Sequence, residues 1–273
     1  MSAPSSARSA TTLADDHALL VAAVRAAGAV ALDYFRRGFE VREKKPGDPV
    51  TDADLAADRA LAERLRAARA DYGWLSEESP ESENRACAPR TWIVDPIDGT
   101  KGFVEGNDEW AVSAALVEGA RPVAAAVFNP ATGELFDAHL GGGARVNGHP
   151  VRVTRAAALA GARLGSSRNE QRRRLWTHLV GGARIEAIDA IAYKLALVAA
   201  GRLDGVVALR PKSEWDVAAG HLLVTEAGGV ITDADGQPLA YNKPDPRLAN
   251  LIASGPALYP ALRAALAKRD KAR

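Results

Sequence analysis

The stretch Asp95-Pro96-Ile97-Asp98-Gly99-Thr100 does more than any other to limit what this chain can become. It follows the apolar, β-prone run Trp92-Ile93-Val94, so the carboxylates of Asp95 and Asp98 are presented where a strand stops. Pro96 fixes φ, Gly99 lets backbone N–H groups approach an anion, and a following helix would aim its N-terminus at a phosphate. Mg²⁺ takes hard oxygen ligands in octahedral geometry, usually a few carboxylates completed by water and phosphate oxygens, and the hexapeptide offers the protein's share. A surface turn with an Asp cap is the plain structural reading of the same residues.

Three further acidic segments are equally two-sided. Val50-Thr51-Asp52-Ala53-Asp54 puts acids at a helix start, where complementing the helix dipole is explanation enough. Trp74-Leu75-Ser76-Glu77-Glu78-Ser79 places adjacent acids after a short apolar run, as a solvated strand end also does. Glu214-Trp215-Asp216-Val217-Ala218-Ala219-Gly220 opens another helix with acids. Together the four segments carry a stronger signal than any one of them.

The frame around them reads as α+β. Leu20, Val24, Ala27, Ala31 and Phe35 recur at helical spacing behind a capping-box-like Thr12 and Asp15, predicting an amphipathic helix over 13–37. Lys44-Lys45-Pro46-Gly47-Asp48-Pro49 breaks the pattern, and Thr51 or Asp52 caps a second helix carrying Leu55, Leu61 and Leu65. Residues 111–117, 123–128 and 134–138 read as strands joined by turns, an antiparallel meander. Beyond 153, helix-like 192–201 and 217–227 alternate with strand-like 205–209 and 230–232. The organisation expected is a disordered leader over 1–12 and an N-terminal half over 13–153 with the antiparallel sheet and most of the acids. A C-terminal half over 154–273 supplies Asp216 and substrate contacts.

Composition excludes several classes. Lys plus Arg is 35 against 34 Asp plus Glu, a net charge of +1 with no pull toward nucleic-acid polymers or membranes, so an anionic substrate must be bound locally. Cys87 is the only cysteine, and the five histidines lack metal-ligand spacing, which leaves neither a disulfide framework nor a zinc cluster. With no apolar region near the start and no run of about 18 apolar residues, the expectation is a soluble, cytoplasmic protein. Arg172-Arg173-Arg174 reads as a solvated helix face.

The segments Val50 to Asp54, Ser76-Glu77-Glu78-Ser79, Trp92 to Thr100, and Trp215 to Gly220 leading to Glu226-Ala227-Gly228-Gly229 stand in a familiar order. In them the chain resembles the inositol monophosphatase superfamily of Mg²⁺-dependent, lithium-sensitive phosphatases. The resemblance implies a layered αβαβα sandwich with metals between its halves, in proteins that are frequently homodimers. It implies that Glu77, Asp95 and the Ile97 carbonyl hold one Mg²⁺, that Asp95, Asp98 and Asp216 hold a second, and that a third, weaker ion sits near Glu77. Asp54 and Thr100 would flank the nucleophilic water, Glu77 would share in catalysis, the Gly99 and Thr100 N–H groups would hold phosphate, and Asp216 would also touch substrate. No protein nucleophile is then needed, because cations activate water and stabilise the departing oxygen.

For the substrate, a small phosphorylated metabolite, three shorter features matter: Lys101, Tyr241-Asn242-Lys243-Pro244-Asp245, and Lys194 within Ala192-Tyr193-Lys194-Leu195. They resemble the bacterial 3′(2′),5′-bisphosphate nucleotidase branch, which implies conversion of 3′-phosphoadenosine 5′-phosphate to AMP, with Lys194 holding the second phosphate. Two departures weigh against it: Asp189-Ala190-Ile191 stands where that branch often has Gly-Ser-Ser, and Gly102 follows Lys101 where an acid is common. Inositol monophosphate, fructose 1,6-bisphosphate and histidinol phosphate are therefore the alternatives, and a non-catalytic metabolite sensor on the same fold is a more distant one.

Overall fold

In the computed structural model, which describes residues 12–172 and 181–270, α1 (Leu13–Arg37) opens on a complete capping box between Thr12 and Asp15. The leader expected over 1–12 lies outside the described residues except for Thr12, as do Arg173 and Arg174. The breaker segment is a hairpin of β1 (Val41–Lys45) and β2 (Asp48–Thr51). It feeds α2 (Asp52–Ala68), whose capping box pairs Thr51 with Asp54.

A seven-stranded sheet follows in sequence order: β3 (Gly73–Ser76), β4 (Arg90–Asp98), β5 (Ala111–Glu118), β6 (Arg121–Asn129), β7 (Glu134–His139), β8 (Ala144–Val146) and β9 (His149–Pro150). β3 and β4 run parallel, and every later neighbour is antiparallel, so the expected meander is present. Between β4 and β5 lies the short α3 (Thr100–Val104). The second half contributes β10 (Arg163–Ser166), α4 (Arg168–Arg172), β11 (Arg184–Ala187), α5 (Ile191–Ala199), β12 (Gly205–Ala208), β13 (Lys212–Ser213), α6 (Glu214–Glu226), β14 (Val230–Thr232), β15 (Arg247–Leu248), β16 (Leu251–Ser254) and α7 (Tyr259–Asp270). Five of its strands form a mixed sheet in the order β11-β10-β12-β16-β14.

Period-two side-chain alternation turns these elements into layers. On β5, Val112, Ala114 and Leu116 pack with α1 and α2, whereas Ala111, Ala115 and Val117 join the core shared with α5 and α6. The second sheet repeats the device: Val206, Ala208, Leu251 and Ala253 face α5 and α6, and Val207 and Ile252 face Leu258 and Leu262 beside α7. The result is the αβαβα sandwich expected from the sequence.

α1 has the length and apolar composition of a membrane-crossing helix, although it contains no unbroken run of about 18 apolar residues. Its Leu20, Val24, Ala27 and Ala31 are instead fully buried against the sheet. Asp16, within the same helix, is paired with Arg69 and Arg90. α1 is a core helix.

Candidate active site

Strand pairing brings the acids together. β3 and β4 align Leu75 with Ile93 and Ser76 with Val94, so Glu77 and Asp95, each one residue further along, emerge side by side at one end of the sheet. The register of β4 against β5 slips between Asp95 and Asp98, where Pro96 lacks the N–H that a regular ladder needs. Asp216 arrives from α6, whose first turn is fixed by Ser213: the Ser213 N–H donates to Asp216 Oδ2 at 2.7 Å. Glu77, Asp95 and Asp216 each place a carboxylate oxygen within 4.8 Å of the others.

These three line a cleft of about 230 Å³ together with Ile97, Asp98, Gly99 and Thr100. Every residue expected to hold a metal ion or the scissile phosphate therefore lines one space. Asp54 stands just behind it. Thr100 Oγ1 lies 3.2 Å from Asp54 Oδ1 and 3.0 Å from the Ile97 carbonyl, and Asp54 Oδ2 accepts from the Thr51 N–H and hydroxyl. Asp98 is held from the far side: its Oδ1 accepts from Ile191 N, and its Oδ2 from Ala192 N and Tyr193 N, at the start of α5. Three helix starts, those of α2, α5 and α6, thus bring their positive ends to Asp54, Asp98 and Asp216.

The electrostatics ask for a cation. Burial, then repulsion from Glu77, Asp98 and Asp216, holds the Asp95 carboxyl well above the usual range. Burial with Glu77 and Asp98 nearby pushes Asp216 up to about 7. Burial pushes Asp98 up to about 6, opposed by the α5 N–H groups, and Asp54 up to about 6, opposed by Thr51 and Thr100. Asp95 Oδ1 accepts from the Ile97 N–H at 3.0 Å, but its buried Oδ2 has no hydrogen-bond partner among the described residues. An orphaned carboxylate oxygen among further carboxylates is a donor set of hard oxygens, which fits a divalent cation such as Mg²⁺.

Gly99 explains itself sterically. Its φ is 92°, in the left-handed region, and a Cβ there would lie 2.9 Å from Ala190 Cβ and 3.2 Å from the Glu109 carbonyl. Sequence reasoning missed other cleft residues: Asp48, Ser167, Asn169 and Asp189 also line it. Lys44 was missed as well, since it stood in what read as a breaker. Its Nζ lies 2.7 Å from both Glu77 Oε1 and Glu78 Oε1. Burial works against the Lys44 charge, but the two glutamates outweigh it and raise its pKa.

The sequence matches the Inositol monophosphatase family over residues 13–270. The chain belongs to the inositol monophosphatase family. As a member it is a phosphoric monoester hydrolase. An inositol-1-monophosphatase of Rhizobium meliloti is 42% identical over 228 residues, covering 80% of this chain and 85% of the relative. The Nus factor SuhB of Escherichia coli is 36% identical over 235 residues, covering 81% and 86%. Among solved structures, an inositol monophosphatase from Anabaena superposes with a TM-score of 0.81 at 28% identity, covering 94% of this chain and 97% of that one.

Within this family the comparisons favour the inositol monophosphatase alternative over the bisphosphate nucleotidase reading, and the structure supplies reasons for that correction. Lys194 is 1% exposed and does not line the cleft. Burial, with Lys212 adding to it, lowers its pKa to about 8 against Glu170, Asp98 and Asp189. Tyr241 is buried with its hydroxyl 2.9 Å from His221 Nδ1. The N–H groups of Asn242 and Lys243 donate to the Glu214 carboxylate, and Arg85 bonds Asn242 Oδ1 and the Lys243 carbonyl. That segment braces the start of α6. Of the three nucleotidase marks only Lys101 lines the cleft.

Proposed function

We propose that the protein hydrolyses inositol 1-phosphate, or a closely similar polyol monophosphate, with Mg²⁺ held by Glu77, Asp95, the Ile97 carbonyl, Asp98 and Asp216. The observation that carries this is the converging trio of buried Asp95 and half-buried Glu77 and Asp216, with Asp95 Oδ2 orphaned, beside the Thr100–Asp54 pair. When bound, Mg²⁺ supplies Lewis-acid activation of water and charge stabilisation on the phosphoryl group.

The chain's own residues orient the rest. Thr100 has one hydroxyl proton and two acceptors in reach, Asp54 Oδ1 and the Ile97 carbonyl, so its lone pair is left to accept from a water in the cleft. Asp54, raised to about 6, is a suitable final acceptor for that water's proton. The first turn of α3 offers the Gly99 and Thr100 N–H groups to the phosphate. α5 fixes Asp98 by its three hydrogen bonds. We propose two ions at the trio and Asp98, with a third site at Glu77 contested by Lys44. Cys87 is free and exposed, which suits a reducing compartment, and we place the enzyme in the cytoplasm.

Phosphate release from inositol 1-phosphate, 3′-phosphoadenosine 5′-phosphate, fructose 1,6-bisphosphate and histidinol phosphate, with and without Mg²⁺, tests the reading. Mg²⁺-dependent turnover highest on inositol 1-phosphate is expected. Preference for 3′-phosphoadenosine 5′-phosphate would overturn the substrate, and binding without release would make the protein a sensor.

A further inference from the structure

The cleft has a second wall that the phosphate chemistry does not use. Ser167, Asn169 and Asp189 line it, all drawn, like Asp216, from the second half of the chain. Asp189 directly precedes Ala190, the N-cap of α5, and Ala190 is the residue against which Gly99 packs so closely that no Cβ fits. Asp189 is thereby set next to the backbone that would cradle the phosphate.

Its carboxylate is held rigidly and from behind. Oδ1 accepts from the Arg168 N–H at 2.9 Å and Oδ2 from Arg168 Nη1 at 3.1 Å, while Arg168 Nη2 reaches Glu109 Oε2 at 2.8 Å. Arg168 is not among the described residues lining the cleft, whereas Asp189 is. One guanidinium between two carboxylates leaves the group at +1 − 2 = −1. Each Asp189 oxygen keeps acceptor capacity beyond its bond to Arg168, and a carboxylate has no proton to give.

We propose that Asp189 is a specificity-determining residue: it accepts hydrogen bonds from hydroxyl groups of a polyol phosphate and disfavours esters that carry a second anionic group beside the scissile one. This rests on the phosphatase reading above and adds the feature of the leaving group that is read. A polyol presents donors to a fixed acceptor. A second phosphate presents negative charge to negative charge, and like-charge juxtaposition is how a site rejects a wrong partner.

The test is Asp189→Asn, assayed with Mg²⁺ on inositol 1-phosphate, on 4-nitrophenyl phosphate, which has no hydroxyl on its ring, and on fructose 1,6-bisphosphate. The readout is the ratio of kcat/KM values within one preparation, so loss of folded protein cancels. Relative to 4-nitrophenyl phosphate, the inositol 1-phosphate value should fall about tenfold, as expected for a lost hydrogen bond to a charged group. The fructose 1,6-bisphosphate value should rise by about three- to tenfold on the same scale, since a repulsive charge is gone. Asp189→Glu keeps the charge but moves the acceptor, so it should lose the inositol preference and keep the bias against the bisphosphate. Equal changes on all three substrates in Asp189→Asn, or a bisphosphate ratio relieved in Asp189→Glu as in Asp189→Asn, would overturn the proposal. A wild type that turns over 4-nitrophenyl phosphate but not inositol 1-phosphate would instead overturn the inositol assignment, and the bisphosphate ratio would still decide the role of Asp189.

Discussion

Asp16 and Asp95 are both buried carboxylates in the N-terminal part of the chain, at 0% and 1% exposure, and their surroundings are opposite. Asp16 Oδ1 accepts from Arg69 Nε at 2.7 Å, and its Oδ2 from Arg90 Nη1 at 2.7 Å and Tyr72 Oη at 2.8 Å. Asp95 has one backbone donor, one orphaned oxygen and Glu77, Asp98 and Asp216 for neighbours. Desolvating a charge is expensive, and folding tolerates it when partners compensate. At Asp16 the chain supplies those partners and the acid is a strut joining α1 to α2 and β4. At Asp95 the chain supplies more negative charge, so the compensation has to come from outside.

The largest effect that can break this contrast is on turnover. Asp95→Asn should reduce kcat by roughly a thousandfold or more at saturating Mg²⁺ if Asp95 is the shared metal ligand proposed above, because such a ligand has no neutral substitute. Near-normal turnover would remove Asp95 from the site. Next comes stability. Asp16→Asn should cost about 2–3 kcal/mol in chemical denaturation, below the full range for a buried pair because both arginines reach solvent. A change under about 0.5 kcal/mol, the size of an ordinary surface substitution, would make the strut dispensable.

A pH series sharpens the comparison further. The Asp54, Asp98 and Asp216 carboxyls are raised to about 6, 6 and 7 in the folded protein. Between the ordinary carboxylate value near 4 and those values the folded state binds more protons than the unfolded state, so metal-free stability should fall as pH rises through about 4 to 7. Thermal unfolding in chelator should show that decline, and Mg²⁺ should flatten it. A metal-free Tm that rises across the window would contradict the raised values. The smallest effect concerns Lys44, whose ammonium already sits on Glu77. Lys44→Met should lower the Mg²⁺ concentration for half-maximal rate by about two- to fivefold, the scale of a partly exposed ion pair. An increase would assign Lys44 a supporting part in metal binding.

The same contrast explains what was legible in the sequence. Glu77, Asp95, Asp98 and Asp216 stand in contiguous segments at element ends, so local pattern marked those segments as candidates and the family resemblance implied which of their acids hold metal. The capping boxes of α1 and α2 and the strands of the meander were equally local. α6 begins at Glu214 rather than near 217 because Ser213 and Asp216 form a capping box that uses a site acid as its third residue. Asp189, Ser167, Asn169 and Lys44 were not legible: each is a single polar residue outside any acidic motif, and only chain crossings bring the first three to the cleft and Lys44 to Glu77. Lys194 misled for a different reason. All nine residues of α5 are buried, so no amphipathic stripe marks which side meets the cleft. Tyr241-Asn242-Lys243 carried a resemblance of sequence whose physical basis is the bracing of Glu214, which does not line the cleft.

Thermal unfolding of wild type and Asp95→Asn at pH 8, above the raised values of Asp54, Asp98 and Asp216, with and without Mg²⁺, tests the central claim most directly. If the acids converge to hold a cation, the metal-free variant is at least as stable as metal-free wild type, because a buried carboxyl whose ionised form its neighbours oppose is gone, and Mg²⁺ raises the Tm of wild type far more than that of the variant. A variant that is less stable without metal, or an equal rise of both proteins on adding Mg²⁺, would contradict it.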